Sequence, residues 1–179
     1  MAALLGLAAS PALHGGDIPR PAVMMSFQAP GGKAIDLRAY RGKVVALEFL
    51  LTTCPHCQDC SRMLQRLQTD FGPKGFQAVG AAVNDIAAVP EFVKNFALKF
   101  PVGFASRDQL TEFLQHPVLE RLTFPQLVIV DRKGVVRFQQ TGFRGDEEEK
   151  ELRPRIEAML NERAVMPRRR ATAAAAAKP

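Results

Sequence analysis

The segment Val44 to Leu51, Val-Val-Ala-Leu-Glu-Phe-Leu-Leu, limits what this chain can become more than any other. It is an almost unbroken apolar run of strand length, interrupted only by Glu48. A strand that is apolar on both sides must be covered on both faces, so it predicts a central strand in a layered fold. Three residues later comes Cys54-Pro55-His56-Cys57, and from Pro55 to about Phe71 the spacing turns helical. Cys57, Cys60, Met63, Leu64, Leu67 and Phe71 share one side, and Gly72-Pro73 stops the pattern. A core strand therefore runs straight into a helix, with two cysteines at the junction.

The rest of the chain fits around this unit. Val23 to Phe27 and Lys33 to Leu37 read as short strands joined by turn residues at Ala29 to Gly32, and Phe76 to Val83 as a further strand. Pro90 to Phe100 is expected to be an amphipathic helix and Val102 to Ala105 a brief strand. Asp108 to Gln115 is expected to be a helix with Asp108 as its cap. Leu127 to Val130, the turn Asp131 to Gly134 and Val135 to Gln140 make a hairpin. Asp146 to Arg163 reads as a charged helix in which Pro154 forces a kink or a late start. Early crossovers imply parallel strands and the hairpin an antiparallel edge, so the fold class is α/β: a three-layer sandwich with a mixed central sheet and flanking helices.

The domain is expected over residues 21–163. Residues 1–20 read as a signal-like or flexible segment, since Met1 to Ser10 is small and apolar and Pro11-Ala12 follows, although a basic leading region is missing. This points to an exported, periplasmic-type location, with a cytoplasmic one as the alternative. Residues 164–179 read as a disordered, Ala-rich basic tail. Of the net charge of +6, +4 lies after Leu160, on Arg163, Arg168, Arg169, Arg170 and Lys178 against Glu162. The folded part is thus nearly neutral, and no specific nucleic-acid partner is expected. No apolar run approaches the ~20 residues of a membrane-spanning helix.

All three cysteines, Cys54, Cys57 and Cys60, fall within seven residues. A structural disulfide framework would scatter them to close long loops, so the cluster points to redox chemistry or metal binding. Cys54 sits at the predicted helix start, with Pro55 suited to the first helical position. Free N–H groups and the positive helix end favour a thiolate there, and a thiolate is the attacking species in disulfide exchange. Cys57 lies one turn inward, placed to resolve a mixed disulfide at Cys54. Pro55 and His56 would tune the couple; a donor or positive charge from His56 would stabilise the reduced form, whereas the plainer reading of His56 is an exposed loop residue. Glu48, on the same strand face as Leu50, is placed to exchange a proton with Cys57, or else pairs with a lysine. Pro125, directly before a strand, is a candidate cis proline. Cys60 is either a possible accessory thiol or simply a small buried hydrophobe.

Gly42-Lys43-Val44-Val45-Ala46-Leu47-Glu48-Phe49-Leu50-Leu51-Thr52-Thr53-Cys54-Pro55-His56-Cys57 resembles the active-site segment of thioredoxin-like proteins, and within them the TlpA/ResA-like thiol–disulfide oxidoreductases. Thr123-Phe124-Pro125-Gln126 with the following Leu-Val-Ile-Val-Asp-Arg-Lys-Gly is similar to that family's cis-proline loop and last hairpin, and Phe92 to Val102 to its middle helix and loop. The resemblance covers about residues 22–160. It implies that Cys54 is the nucleophile, Cys57 the resolving thiol, Pro125 a cis residue, and Thr123 and Phe124 substrate-docking positions. It further implies a redox enzyme without an organic cofactor, acting as a monomer on protein thiols or disulfides, apocytochrome c in cytochrome c maturation among them. Three departures stand out. Thr53 replaces the aromatic residue usual before the first cysteine, Cys60 stands where an acid is frequent, and Pro55-His56 is similar to the dipeptide of the oxidase DsbA.

Two alternatives share part of this pattern. A Cys-based metal module would use the cysteines with His56, but a fourth cysteine is missing and His14 and His116 are distant in sequence. A peroxiredoxin-like peroxidase would need a Thr three residues before its cysteine, where Leu51 stands.

Overall fold

Every residue of strand β4 (Val44–Leu50) is buried, because this strand is covered on both faces. In the computed structural model, which describes residues 16–117 and 119–162, β4 lies inside an eight-stranded sheet. The other strands are β1 (Arg20–Pro21), β2 (Ser26–Gln28), β3 (Ala34–Asp36), β5 (Phe76–Ala82), β6 (Val102–Phe104), β7 (Gln126–Val130) and β8 (Val135–Thr141). Their spatial order is β1-β8-β7-β4-β5-β6-β2-β3. β4 pairs parallel with β5, and β5 with β6; β7 runs antiparallel to both β4 and β8.

The alternation along β4 divides the core. Val44, Ala46 and Leu50 face helices α1 (Pro55–Phe71) and α4 (Asp146–Asn161) together with Leu127 and Ile129. Val45, Leu47 and Phe49 face the opposite layer, where the Phe49 ring lies 5.6 Å from that of Phe113 in α3 (Arg107–Leu114). Between β5 and β6 runs α2 (Val89–Asn95). The mixed sheet with helices on both sides is the expected three-layer sandwich, with α1 spanning the residues its periodicity predicts.

Four local expectations change. Helix α3 is capped by Ser106, not Asp108: the Ser106 hydroxyl accepts from the Gln109 amide at 3.2 Å and the Ser106 amide donates to Gln109 Oε1 at 3.0 Å. Reciprocal capping satisfies two orphan N–H groups, which Asp108 inside the first turn cannot do. Helix α2 stops at Asn95, short of Phe100, because Ala97 adopts a left-handed φ of 48° and Leu98 turns back to the Val93 carbonyl. Pro154 neither breaks nor starts α4; it sits on the exposed side, where water can take the backbone carbonyl it leaves unbonded. Gly16 and Arg20, expected outside the domain, touch it, while Asp17 to Pro19 between them are exposed; the Gly16 amide donates to the Leu114 carbonyl at 3.0 Å. Arg20 is buried, its guanidinium donating to the Phe113 carbonyl at 3.0 Å and to Gln139 at 2.6 Å.

Residues 1–15 and 163–179, which carry the signal-like and basic-tail readings, lie outside the described residues. Among the described residues no helix is long and apolar enough to cross a membrane.

Candidate active site

The junction after β4 is built by backbone geometry. Cys54 is the N-cap of α1, in extended conformation, with its amide bonded to the Leu51 carbonyl at 3.1 Å and its carbonyl accepting from the Gln58 amide at 3.0 Å. Pro55 occupies the first helical position, where no N–H is needed. Thr53, Pro55 and His56 are exposed, Cys54 is half-buried, and Cys57 is fully buried one turn inward. The outer sulfur is therefore open to a partner and the inner one is shielded. All three cysteines are free thiols here.

Cys57 is held from two directions. The Leu51 amide donates to its Sγ at 3.4 Å, and its thiol donates toward the Cys54 sulfur. Burial pushes the Cys57 thiol far up, with the Glu48 charge and the Cys54 sulfur adding to it and the Leu51 amide opposing. Glu48 lies in the same layer, fully buried on the α1 face of β4. The Ser61 hydroxyl donates to its Oε2 at 2.7 Å. The buried Oε1 has no partner of good hydrogen-bond geometry, although the Cys60 thiol is close enough to act on the carboxyl as a weak donor. Burial raises the Glu48 pKa to about 8, against the bonds from Ser61 and Cys60 and with a further push from the Glu148 charge. The alternative pairing of Glu48 with a lysine does not occur; its neighbours are a hydroxyl, a thiol and a second carboxyl. Cys60 is fully buried, and burial followed by the charges of Glu48 and Glu148 holds its thiol protonated.

The sheet register brings the second predicted element to the same place. Phe49 pairs with Gln126, so the preceding Pro125 arrives at the level of Leu50, near the strand end from which Cys54 follows. The Phe124–Pro125 bond is cis, as is Ile18–Pro19, which the sequence did not suggest. Pro125 is buried and its carbonyl accepts from the Gly142 amide at 2.7 Å. Thr123 is exposed, and its carbonyl accepts from the Gln126 side chain at 2.8 Å. Phe124 is half-buried against the same core layer as Cys54.

Four further residues belong to the site. Asn84, just past the end of β5, accepts from the Thr52 amide at 3.1 Å and donates to the Thr52 hydroxyl at 2.9 Å. Gln58 donates to the Thr52 carbonyl at 3.2 Å. Together they fix the loop that presents Cys54. The signal for Asn84 was the parallel pairing of β4 with β5, which puts Leu50 beside Ala82 and hence Thr52 level with Asn84. Ser61 follows Cys57 by four residues, so helical spacing could have placed it over Glu48. Glu148 carried no such signal, being hidden in a run of four acids. Among the described residues no group of three or more His, Cys, Asp or Glu side chains is arranged to hold a metal.

The arrangement can make and break one disulfide at an exposed sulfur, resolve it with a shielded one, and exchange a proton with a buried acid. The chain is similar to the thiol-disulfide oxidoreductase ResA of Bacillus thuringiensis subsp. konkukian, 31% identical over 107 residues, covering 59% of this chain and 58% of that protein. It is 38% identical over 74 residues to the ResA protein of Bacillus anthracis, covering 40% of this chain and 42% of that one. The chain thus spans well under two thirds of the length of these relatives. Its fold matches a thiol:disulfide interchange protein of the thioredoxin family from Chlorobium tepidum, with a TM-score of 0.69 at 23% identity over 81% of this chain and 99% of that one. It also matches a secreted Mycobacterium tuberculosis disulfide oxidoreductase, with a TM-score of 0.61 at 20% identity over 75% and 96%. Residues 17–156 match the family model described as Redoxin, and with that match over most of its length the chain belongs to the Redoxin family, with a thioredoxin-like fold.

Proposed function

We propose that this chain is a thiol–disulfide oxidoreductase that exchanges a Cys54–Cys57 dithiol or disulfide with cysteines of protein substrates. The observation that carries this reading is the pairing of a half-exposed sulfur at the α1 N-cap with a fully buried one a turn deeper, above a buried carboxyl. In the reducing direction the Cys54 thiolate attacks a partner disulfide, and the partner's leaving sulfur takes a proton. Cys57 then passes its proton to Glu48 and attacks the Cys54 sulfur, which releases the partner's second thiol and leaves a Cys54–Cys57 disulfide. The oxidising direction runs the same steps backwards, with Glu48 returning the proton to Cys57. A carboxyl titrating at about 8 suits both roles, since a general acid or base works best when its own pKa lies near the working pH. Partner docking is assigned to the Thr123-Phe124-Pro125 loop and the exposed Thr53 to His56 rim, and the tuning of the couple to Pro55 and His56. The relative from Mycobacterium tuberculosis is described as secreted, and an exported compartment, where protein disulfides persist, is proposed for this chain as well.

The test is direct. Gentle reduction of the oxidised protein should release two thiols, and Cys54→Ser should abolish insulin reduction. Absence of a reversible two-thiol change, or full activity in Cys54→Ser, would end this reading. The Cys54/Cys57 potential then sets the direction: a value near ~−120 mV marks an oxidant and one near ~−270 mV a reductant.

A further inference from the structure

Glu148 is a buried acid in a place where its neighbours face water. It is the third of four consecutive acids, Asp146 to Glu149, in the first turn of α4. Asp146 and Glu147 are exposed and Glu149 reaches Arg66 and Arg153, whereas Glu148 is fully buried. Its Oε2 accepts from Gln140 Nε2 at 2.7 Å and from the Arg144 amide at 3.0 Å, while Oε1 is buried with no partner. The Arg144 guanidinium stands nearby, engaged with Glu151 at 2.7 Å and with Gln140 Oε1 at 3.2 Å.

The sheet register links this acid to the dithiol. Glu48 pairs with Leu127, and Leu127 with Gln140, so the three side chains leave one face of the sheet in a row. Glu148 hangs from the far end of that row by its bond to Gln140, in the layer filled by Leu127, Leu152 and Ile156. Its charge acts on Glu48 and on the Cys60 thiol of α1. Two carboxyls thus share one apolar layer, each with an orphaned Oε1. Their support is unequal. Burial pushes the Glu148 carboxyl up, but two N–H donors, a helix N-terminus and the nearby Arg144 guanidinium oppose it and favour the anion. Glu48 has one hydroxyl and a weak thiol donor. Like charges repel strongly in such a layer, and the proton settles on the less supported member.

We propose that Glu148 is a positioning residue for the dithiol chemistry: held as an anion by Gln140 and Arg144, it keeps the pair's proton on Glu48, beneath Cys57. This rests on the reading of Cys54 and Cys57 as the redox couple. When a partner thiolate attacks the Cys54 sulfur of the Cys54–Cys57 disulfide, a new S–S bond forms to Cys54. The electron pair of the broken bond stays on Cys57 Sγ, and Glu48 supplies its proton to that sulfur. With Glu148 as the anion, the site is set to protonate the departing Cys57, and Glu48 loses its proton only after the like charge beside it has been overcome.

The test uses the full chain with Glu148→Gln, which keeps the shape and the accepting oxygen but removes the charge. Titration of Glu48 is followed by its carboxyl infrared band, identified by its loss in Glu48→Gln. The midpoint should fall by about half a pH unit or more, as removal of a nearby like charge requires. The pH profile of exchange with a small aromatic disulfide should move with it, and Glu149→Gln should move neither. Gln140→Leu, which strips one donor from Glu148, should shift the Glu48 midpoint in the same direction and serves if Glu148→Gln does not fold. A Glu48 midpoint unchanged in a folded variant, or an equal shift in Glu149→Gln, would overturn the assignment. The infrared titration needs no exchange activity, so failure of the redox reading, seen in the thiol count, is distinguishable from failure here.

Discussion

Replacing Glu48 with glutamine should make the protein more stable, and by an amount that grows with pH. In the unfolded chain Glu48 titrates at its ordinary 4.5; in the folded protein burial moves this to about 8. Between those values the folded state holds a proton that the unfolded state has lost. Folding is then coupled to proton uptake, so stability falls as pH rises across this window. The gap is about 3.5 pH units, and at 1.36 kcal/mol per unit the full loss is about 5 kcal/mol, of which about 4 has developed by pH 8, where the folded carboxyl is itself half ionised. Glu48→Gln has no proton to keep and the same shape, so its bond with Ser61 adds a roughly constant offset. The Cys57 and Cys60 contributions are common to both proteins and cancel. Guanidinium unfolding of both proteins, fully reduced, at several pH values from about 5 to about 8 measures the difference. The variant should gain on the parent by roughly 3 to 4 kcal/mol across that range. A difference that stays flat within about 1 kcal/mol would show that Glu48 is ionised in the folded state, and the proton-exchange role built on its burial would fall with it.

Other outcomes follow from the same geometry. Cys57→Ser should accumulate a mixed disulfide between Cys54 and a protein partner, visible by mass spectrometry, while Cys54→Ser with Cys57 intact should trap none because the inner sulfur is fully buried. Asn84→Ala removes the side chain that both accepts from and donates to Thr52, and should cost about 1–3 kcal/mol in chemical unfolding along with a slower Cys54 alkylation rate. Ser106→Ala should lower stability by about 1 kcal/mol without changing thiol reactivity, whereas Asp108→Ala should do far less. Phe49→Ala empties a fully buried position against Phe113 and should cost about 3–5 kcal/mol.

What could be read in advance follows the strength of each local signal. β4 and α1 are legible because one is apolar at nearly every position and the other has a proline start, a helical stripe and a Gly-Pro stop. The dithiol and Glu48 come with them, since a lone charge in a core strand and a cysteine pair at its end stand out against any background. The end of α2 is not legible, because nothing in the residue type marks Ala97 for a left-handed turn. Arg20 is not legible either, because a buried guanidinium depends on the Phe113 carbonyl and Gln139, both more than ninety residues away. Glu148 is hidden for the opposite reason: in a run of acids each member reads as solvated, and only the tertiary bonds from Gln140 and Arg144 separate it from its neighbours. Local pattern thus finds the cysteine pair at the strand end, and three-dimensional packing decides which charges surround it.

The outermost strands of the sheet are very short, two residues in β1 and three in β3, and they leave few backbone groups for an extended polypeptide to zip onto. A client protein therefore gains little by lying along either margin. The proposed docking instead lies at the strand tips, where Thr53, His56 and Thr123 are exposed. On the proposed reading, a grip that small favours brief encounters with many clients over durable complexes with one, in keeping with a mixed disulfide that Cys57 would undo.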